Sequence, residues 1–433
     1  MTERPKYGFL NPQPYMSKAI ARMREAIDVE VLTPTTWDES EIDDIARTCK
    51  DKGIRAVGGF AQKDAFHHIL INDKLGNVVP SRRAFFYCMN KYLMRSLETD
   101  PFYFDSIDPH SESDDEIVGK IKEWPFMLKN TSLSLGRGIF KIEDESQLRA
   151  VLADYRGDAA LQELIASQYA SYKKGVDPGE FPVNAPPFIA EHLVDMNQAI
   201  EYCYEGYITP DGKVVHYALT EEVYFANHQA LGYVTPPVSI DAKMADQIAA
   251  WVDDYMGKFA ELGYLGQFFN LEFWIMPDGT IALTEINPRA AHSYHYNYLY
   301  SFGNSLFEDN LRLAAGEAPT ADTPWRKWRQ GAEHEYTLIV LVTGQEEGKV
   351  SDILDYDYVA ELENDEGLLI RHTRKPDDVL TAKDMTAAGV MLQQIWVVGD
   401  SPAAVIDKER EIRRRIYKKP VEVAYPPYWQ VSR

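Results

Sequence analysis

The sequence predicts a chain of mixed α/β and α+β class, folded as two or three packed domains. Three observations lead there. The chain has 433 residues, too many for one ordinary core. Apolar residues make up 45% and aromatic residues 12%, which supplies sizeable cores and argues against disorder. Strand-like and helix-like runs alternate through residues 1–85, then give way to strand-rich stretches with single helices.

In the first region, Tyr7–Leu10, Val29–Leu32 and Ile54–Gly58 read as strands. Between and after them, Lys18–Ile27, Ser40–Lys52 and Ala61–Leu70 read as helices, with Ser40 as a cap. That alternation favours a small parallel sheet. Further on come a helix over Ala84–Leu97, a strand Phe126–Lys129, a polar glycine loop Asn130–Gly138 and a strand Ile139–Ile142. Asp144 and Gln147 resemble a capping box that opens a helix to about Asp154. Lys173–Pro187 is rich in Pro and Gly and reads as a surface loop. Ile248, Trp251, Tyr255, Phe259 and Leu262 recur at helical spacing and predict a buried face. A second Asp-Gly hairpin, at Asp211-Gly212, places His216 opposite Tyr207 in a structural role. A final helix is expected near Pro402–Ile416, with the basic run Arg410–Arg415 on a solvated face.

Composition excludes several functions. A formal charge of −22 repels phosphate backbones, so nucleic acid is not an expected partner. No run approaches the roughly 18 apolar residues of a membrane span, and no apolar signal core follows the N-terminus, so a soluble, cytoplasmic protein is expected. Cys49, Cys88 and Cys203 have no metal-like spacing and read as buried thiols. Neither a dinucleotide-type glycine motif after the first strand nor a P-loop is present.

The most informative segment is Phe268–Arg289, two strand-like runs around Pro277-Asp278-Gly279-Thr280. Asp-Gly between apolar runs signals a hairpin. Centring the turn between Asp278 and Gly279 sets Glu272 opposite Glu285 and Asn270 opposite Asn287, all on one face. Two opposed carboxylates repel, and a hard cation such as Mg²⁺ offsets that best. A one-residue slip would remove the pairing. Trp274 and Leu283, on the same face, read as core.

These residues resemble the metal-binding end of the ATP-grasp superfamily, in its carboxylate–amine ligase and biotin-carboxylase branch. Further motifs agree in order. Asn90-Lys91 with Arg95 is similar to the start of the ATP-binding domain, with Asn where relatives have Asp. Trp124–Lys129 resembles the strand carrying a second ATP-binding lysine, and Thr131–Gly138 takes the place of the glycine-rich loop. Phe188–Val194 resembles the hinge that meets adenine, and the stretch from Glu347 through Ser401 the closing subdomain.

The resemblance implies an ATP-grasp fold with an N-terminal Rossmann-like domain (1–85), an ATP-grasp lobe with the glycine-rich loop (86–190), a lobe with the metal site (191–310) and a C-terminal closing subdomain (311–433). It implies ATP and one or two Mg²⁺ (with Mn²⁺ as a substitute) held by Glu272, Glu285 and Asn287. Lys91 and Lys129 would meet the phosphates, under a loop of Ser132, Ser134, Gly136, Arg137 and Gly138. Glu191, His192 and Leu193 would lie at adenine. Relatives often carry Gly then Glu after the hinge, the Glu holding ribose. Asp195-Met196-Asn197-Gln198 stands here instead, with Gln198 nearest by spacing.

The implied reaction makes an acyl phosphate from a small-molecule carboxylate, which an amine then attacks. Lys129 and Arg289 are the expected catalytic residues, with Arg289 also steadying the substrate alongside His292, Tyr294 and Glu222. Glu221 is as eligible as its neighbour Glu222. A carboxylase forming carboxyphosphate, a small-molecule kinase and a non-catalytic nucleotide-binding protein are the competing readings. A homodimer is compatible with the same resemblance.

Overall fold

A computed structural model describes residues 4–425, apart from 134–137, 168–185, 196, 228, 366, 386–388, 420 and 422. Strands β1 (Lys6–Leu10), β2 (Asp28–Leu32) and β3 (Ile54–Gly58) form a parallel sheet in the order β2-β1-β3, as their alternation with helices predicts. Helices Glu39–Asp51 and Gln62–Leu75 bury Ile42, Ala46, Phe66 and Ile69 with Leu10 and Val57. The cap of the first of these is Asp38, not Ser40. Its carboxylate accepts from the Glu41 N–H at 2.9 Å, while Ser40 Oγ donates to the same carboxylate.

The helix expected over Ala84–Leu97 is broken at Asn90. Asn90 leaves the helical region (φ −121, ψ 115), ending Arg82–Met89 and capping Lys91–Arg95. Its Oδ1 accepts from the Tyr92 and Leu93 N–H groups at 3.1 Å each. Lys91 therefore opens a new short helix, and Arg95, four residues on, is buried.

Strands β4 (Phe104–Ile107), β5 (Phe126–Asn130), β6 (Ile139–Ile142) and β7 (Phe188–His192) make an antiparallel sheet ordered β4-β7-β5-β6. Helix Glu145–Gly157 packs Leu148 and Leu152 on it. Asp144 caps that helix, but Gln147 reaches back to the Glu143 N–H rather than to Asp144. Ser134, Gly136 and Arg137 lie outside the described residues, as does most of Lys173–Pro187.

Strands β8 (Ile200–Ile208), β9 (Val214–Tyr224), β10 (Ala230–Thr235), β11 (Gln267–Ile275), β12 (Ile281–Asn287) and β13 (Tyr336–Gly344) begin the largest sheet. After them come β14 (Gly348–Lys349), β15 (Leu369–His372), β16 (Val379–Leu380) and β17 (Val390–Gly399). The eight-stranded order is β12-β11-β8-β9-β10-β13-β17-β15, antiparallel throughout, and β14 and β16 form a separate ribbon. Helix Ala242–Glu261 buries Ile248, Tyr255 and Phe259 against one face, as its periodicity predicts. The expected division at 190/191 falls inside β7, and that at 310/311 falls inside helix Leu306–Ala314. The large sheet runs through both of the last two expected regions, so the C-terminal strands extend it.

Two smaller expectations fail. The turn holds one more residue than a two-residue Asp-Gly turn, with the Thr209 N–H bonded to Lys213 O, so Tyr207 lies opposite Val215 and His216 opposite Gly206, where it bonds the Tyr204 hydroxyl and lies 3.5 Å from Asp253. Helix Pro402–Ile416 is present, but Arg413 of its basic run is buried and ion-paired with Glu409 four residues before it. The three cysteines are buried and free. Among the described residues no helix is long and apolar enough to cross a membrane.

Candidate active-site cleft

The hairpin β11–β12 places Glu272 opposite Glu285 and Asn270 opposite Asn287. The pairing arises differently from the sequence expectation. The tip is a longer loop, with Ile275 opposite Ile281, Met276 N–H bonded to Thr280 O, and Gly279 at φ +86. A bulge at Thr284 then restores the register at the two glutamates. The same bulge moves Leu283 to the opposite face, beside Phe273 in the core under the long helix, while Trp274 faces Ala282 in a small separate cluster.

Asn287 Nδ2 stands among three acceptors: Glu272 Oε1 at 3.1 Å, Asn270 Oδ1 at 3.3 Å and Glu285 Oε1 at 3.4 Å. One amide is a weak partner for two carboxylates. Burial, then Glu285 and Glu201, pushes the Glu272 carboxyl well above the glutamate range, against the pull of Arg289 and Lys91. Among the described residues no three His, Cys, Asp or Glu side chains converge as a metal cluster. The donor set is two carboxylates and an amide, all oxygen donors, which suits Mg²⁺ completed by water and phosphate. For Asn287 to join, its oxygen, which accepts from Arg289 at 3.3 Å, must turn to the cation.

Lys91 Nζ lies 3.5 Å from Glu285 Oε2 and donates to Leu133 O at 3.1 Å. Ser132 is buried beside it, with its N–H and hydroxyl both on Asn130 Oδ1. Gly138 closes this loop at φ +65, where an added Cβ would come 3.0 Å from Asn130 Cβ. Lys91, Ser132, Glu272, Glu285, Asn287 and Arg289 line one cavity of about 520 Å³.

A second cavity of about 220 Å³ shares Thr284 with the first and is bounded by Phe102, Lys129, Glu191, Leu193 and Trp274. Glu191 is buried in it between Arg95 Nε at 2.6 Å and Lys129 Nζ at 2.7 Å. Burial would raise its pKa, but the two cations win and bring it down to about 2. His192 stacks on Phe102 and bonds Glu123 at 2.8 Å. Gln198 is not brought into either cavity; it is exposed and tied to Asp195 at 2.8 Å.

The face that carries Glu272 also carries Glu201 and Glu222. Glu222 pairs with Tyr233 on β10 and is hydrogen-bonded to Glu201, whose other partner is the Tyr224 hydroxyl. Glu221 points the other way and accepts from the Val238 and Ser239 N–H groups, so of the two neighbours Glu222 faces the site. Tyr294 donates to Cys203 Sγ at 3.0 Å on this face, and His292 Nδ1 lies 2.5 Å from the Tyr15 hydroxyl. Burial, reinforced by Glu272, pushes Glu222 up to about 7. A carboxyl whose pKa is raised on folding adds stability below the unfolded value of 4.5 and loses it as pH rises through about 7. Without metal or nucleotide, Glu222→Gln is expected to flatten the fall in melting temperature between those limits. Equal pH slopes for the two proteins would refute the assignment.

Arg95 belongs to the Asn90-Lys91 motif, but its bond to Glu191 joins residues 96 apart and carries no local signal. Trp274, Phe102, Gln62 and Tyr15 are not assigned to the cleft by the sequence. Trp274 alternates with Glu272 along β11, so its face was legible. Gln62 and Tyr15 come from the N-terminal region, over 200 residues from Arg289 and His292, and carry no local signal.

No protein-family model and no curated relative matches the sequence. Solved structures do match. An L-amino acid ligase from Bacillus licheniformis superposes with a TM-score of 0.68 at 13% identity, over 98% of this chain and 100% of that one. The biotin carboxylase domain of 2-oxoglutarate carboxylase from Hydrogenobacter thermophilus, solved with MgADP and bicarbonate, gives 0.63 at 14% identity, over 99% and 94%. N5-carboxyaminoimidazole ribonucleotide synthetase from Thermus thermophilus gives 0.59 at 16% identity, over 96% and 94%. With its two cavities between the four-stranded and eight-stranded sheets and a carboxylate hairpin at their junction, the chain has the ATP-grasp fold along nearly its whole length.

Proposed function

We propose that the chain is an ATP-dependent, ADP-forming ligase that joins a small-molecule carboxylate to an amine. The observation that carries this is the gathering of Glu272, Glu285 and Asn287 on one face, beside Lys91 and Arg289 in one cavity. Adenine would occupy the smaller cavity against Glu191, His192 and Leu193. Lys91 and Lys129 would act on the phosphates as point charges, the latter leaving its present partner Glu191. Ser132 and Gly138 frame the loop that would cover them, which includes Ser134, Gly136 and Arg137. Mg²⁺ held by Glu272, Glu285 and Asn287 would neutralise charge on the triphosphate.

In the first step a carboxylate oxygen of the substrate takes the γ-phosphoryl group and ADP leaves. In the second, the amine nitrogen attacks the acyl carbon, the C–O bond to phosphate breaks, and the nitrogen gives up a proton. Arg289 would hold the carboxylate and then the acyl phosphate through its fork of donors. Tyr294 and His292 would bound the substrate, with Glu222 placed to receive the amine.

The test is ATP turnover against panels of small carboxylates and amines, with nucleotide and product identified by mass spectrometry. ADP, phosphate and an amide are expected. AMP with pyrophosphate would refute the acyl-phosphate route. The likeness to a biotin carboxylase domain favours one second reading, carboxyphosphate formation. Phosphate release that requires bicarbonate and no amine would select it, and a stable phosphorylated product would select a kinase.

A further inference from the structure

Among the described residues, every arginine that is buried or half-buried has a carboxylate within ion-pair distance, with two exceptions: Arg289 and Arg371. In a chain of formal charge −22 a carboxylate partner is easily supplied. Two half-buried guanidiniums without one forgo favourable pairing, which a bound anion would restore.

Among the described residues both donate only to neutral groups. Arg289 reaches Gln62 Oε1 at 3.1 Å, Asn287 Oδ1 at 3.3 Å and Ala290 O at 3.4 Å. Arg371, on the edge strand β15, donates to Gln394 Oε1 at 2.9 Å, and its guanidinium lies 5.1 Å from the centre of the Tyr15 ring. The hydrogen-bonded Tyr15–His292 pair stands between the two charges. Each arginine lowers the proton affinity of both members. His292 is kept neutral, at about 3, mainly by burial, so it adds no third charge. Three parts of the chain converge here. Tyr15 comes from the N-terminal region, Arg289 and His292 follow the hairpin, and Arg371 and Gln394 come from the far edge of the large sheet.

The two arginines differ in one respect. Arg289 touches Asn287 of the carboxylate set and is placed for the reacting group. Among the described residues Arg371 meets Gln394 and Tyr15 and no residue of the hairpin, so it is placed for an anionic group that does not react. We infer that Arg371 anchors the carboxylate of the amine partner, so that the acceptor is an α-amino acid rather than a simple amine. An α-amino acid carries its carboxylate carbon two bonds beyond the attacking nitrogen. Such an acceptor brings nucleophile and anion in one molecule, the nitrogen for the acyl group at Arg289 and the carboxylate for the cation at Arg371, which lies 5.1 Å from the Tyr15 ring. The inference rests on the ligase reading, and it adds a substrate class and a residue to it.

The test is equilibrium binding of the common L-α-amino acids, and of the matching amino-acid amides, to the full chain with MgADP. At least one amino acid is expected to bind, with its amide about tenfold weaker or worse, the loss of one charge-assisted pair. Arg371→Met should weaken that amino acid by a similar factor, and Arg371→Lys should restore part of it. MgADP affinity, measured separately, should be the same in all three proteins. That measurement shows that the variants fold and tests the ATP reading by itself. Equal binding of acid and amide, no effect of Arg371→Met, or no amino-acid binding at all would each overturn the inference. So would Arg371-dependent binding of succinate or glutarate in place of amino acids, which would put the second anion on the acid substrate.

Discussion

Glu285→Gln is expected to lower turnover roughly 10²–10³-fold, the usual effect of removing one preorganised electrostatic contact at a phosphoryl-transfer site. The fold should survive and even gain. Glu285 faces Glu272 directly, and its charge is the largest influence, after burial, that raises the Glu272 carboxyl. Glutamine keeps the shape and removes the repulsion. What is lost is the 3.5 Å approach of Lys91, a modest contact. The melting temperature without metal should therefore be unchanged or higher, while Mg²⁺ no longer raises it as in the parent protein. A collapse in stability together with activity would show that Glu285 is structural. Undiminished turnover would remove the hairpin from the chemistry.

The pair of glutamates was legible because a strand repeats every two residues and an Asp-Gly turn marks its own position. A two-residue turn is not what produces the pairing. The longer tip and the bulge at Thr284 shift the register twice, and the shifts cancel at Glu272 and Glu285. They do not cancel at Leu283, which was expected beside the glutamates and lies on the core face. A bulge leaves no local mark in a run such as Ile-Ala-Leu-Thr-Glu, so it could not be read.

The helix expected over Ala84–Leu97 differs for a similar reason. Asn90 was noted as a substitution for Asp, but its role as a cap that breaks Ala84–Leu97 in two depends on an extended backbone that apolar periodicity hides. The small parallel sheet followed from alternation alone. Continuation of the eight-stranded sheet through β13, β17 and β15 depends on non-local pairing, which sequence order does not reveal. Arg371 belongs to that last group: its neighbours Tyr15 and Gln394 come from opposite ends of the chain.

Arg95→Met should be the most destabilising of these changes, by about 3–5 kcal/mol, because it removes one partner of a buried ion pair and strands the other. The guanidinium bonds Glu191 at 2.6 Å, Glu98 at 3.0 Å and the Leu283 carbonyl on β12. It thus ties the four-stranded sheet to the hairpin at the point where the two cavities meet. Methionine fills similar volume but leaves Glu191 with Lys129 alone and Glu98 with no comparable partner. The effect has a pH signature. Glu191 is depressed on folding, so its contribution is present above 4.5 and lost as pH falls toward about 2. Removing Arg95 weakens that depression, so the stability difference between the parent and Arg95→Met should narrow as acid is added. Chemical denaturation at neutral pH and near pH 3 measures both parts. Nucleotide affinity should fall as well, since Glu191 and Lys129 bound the smaller cavity. A difference independent of pH would mean that packing, rather than the ion pair, joins the two sheets.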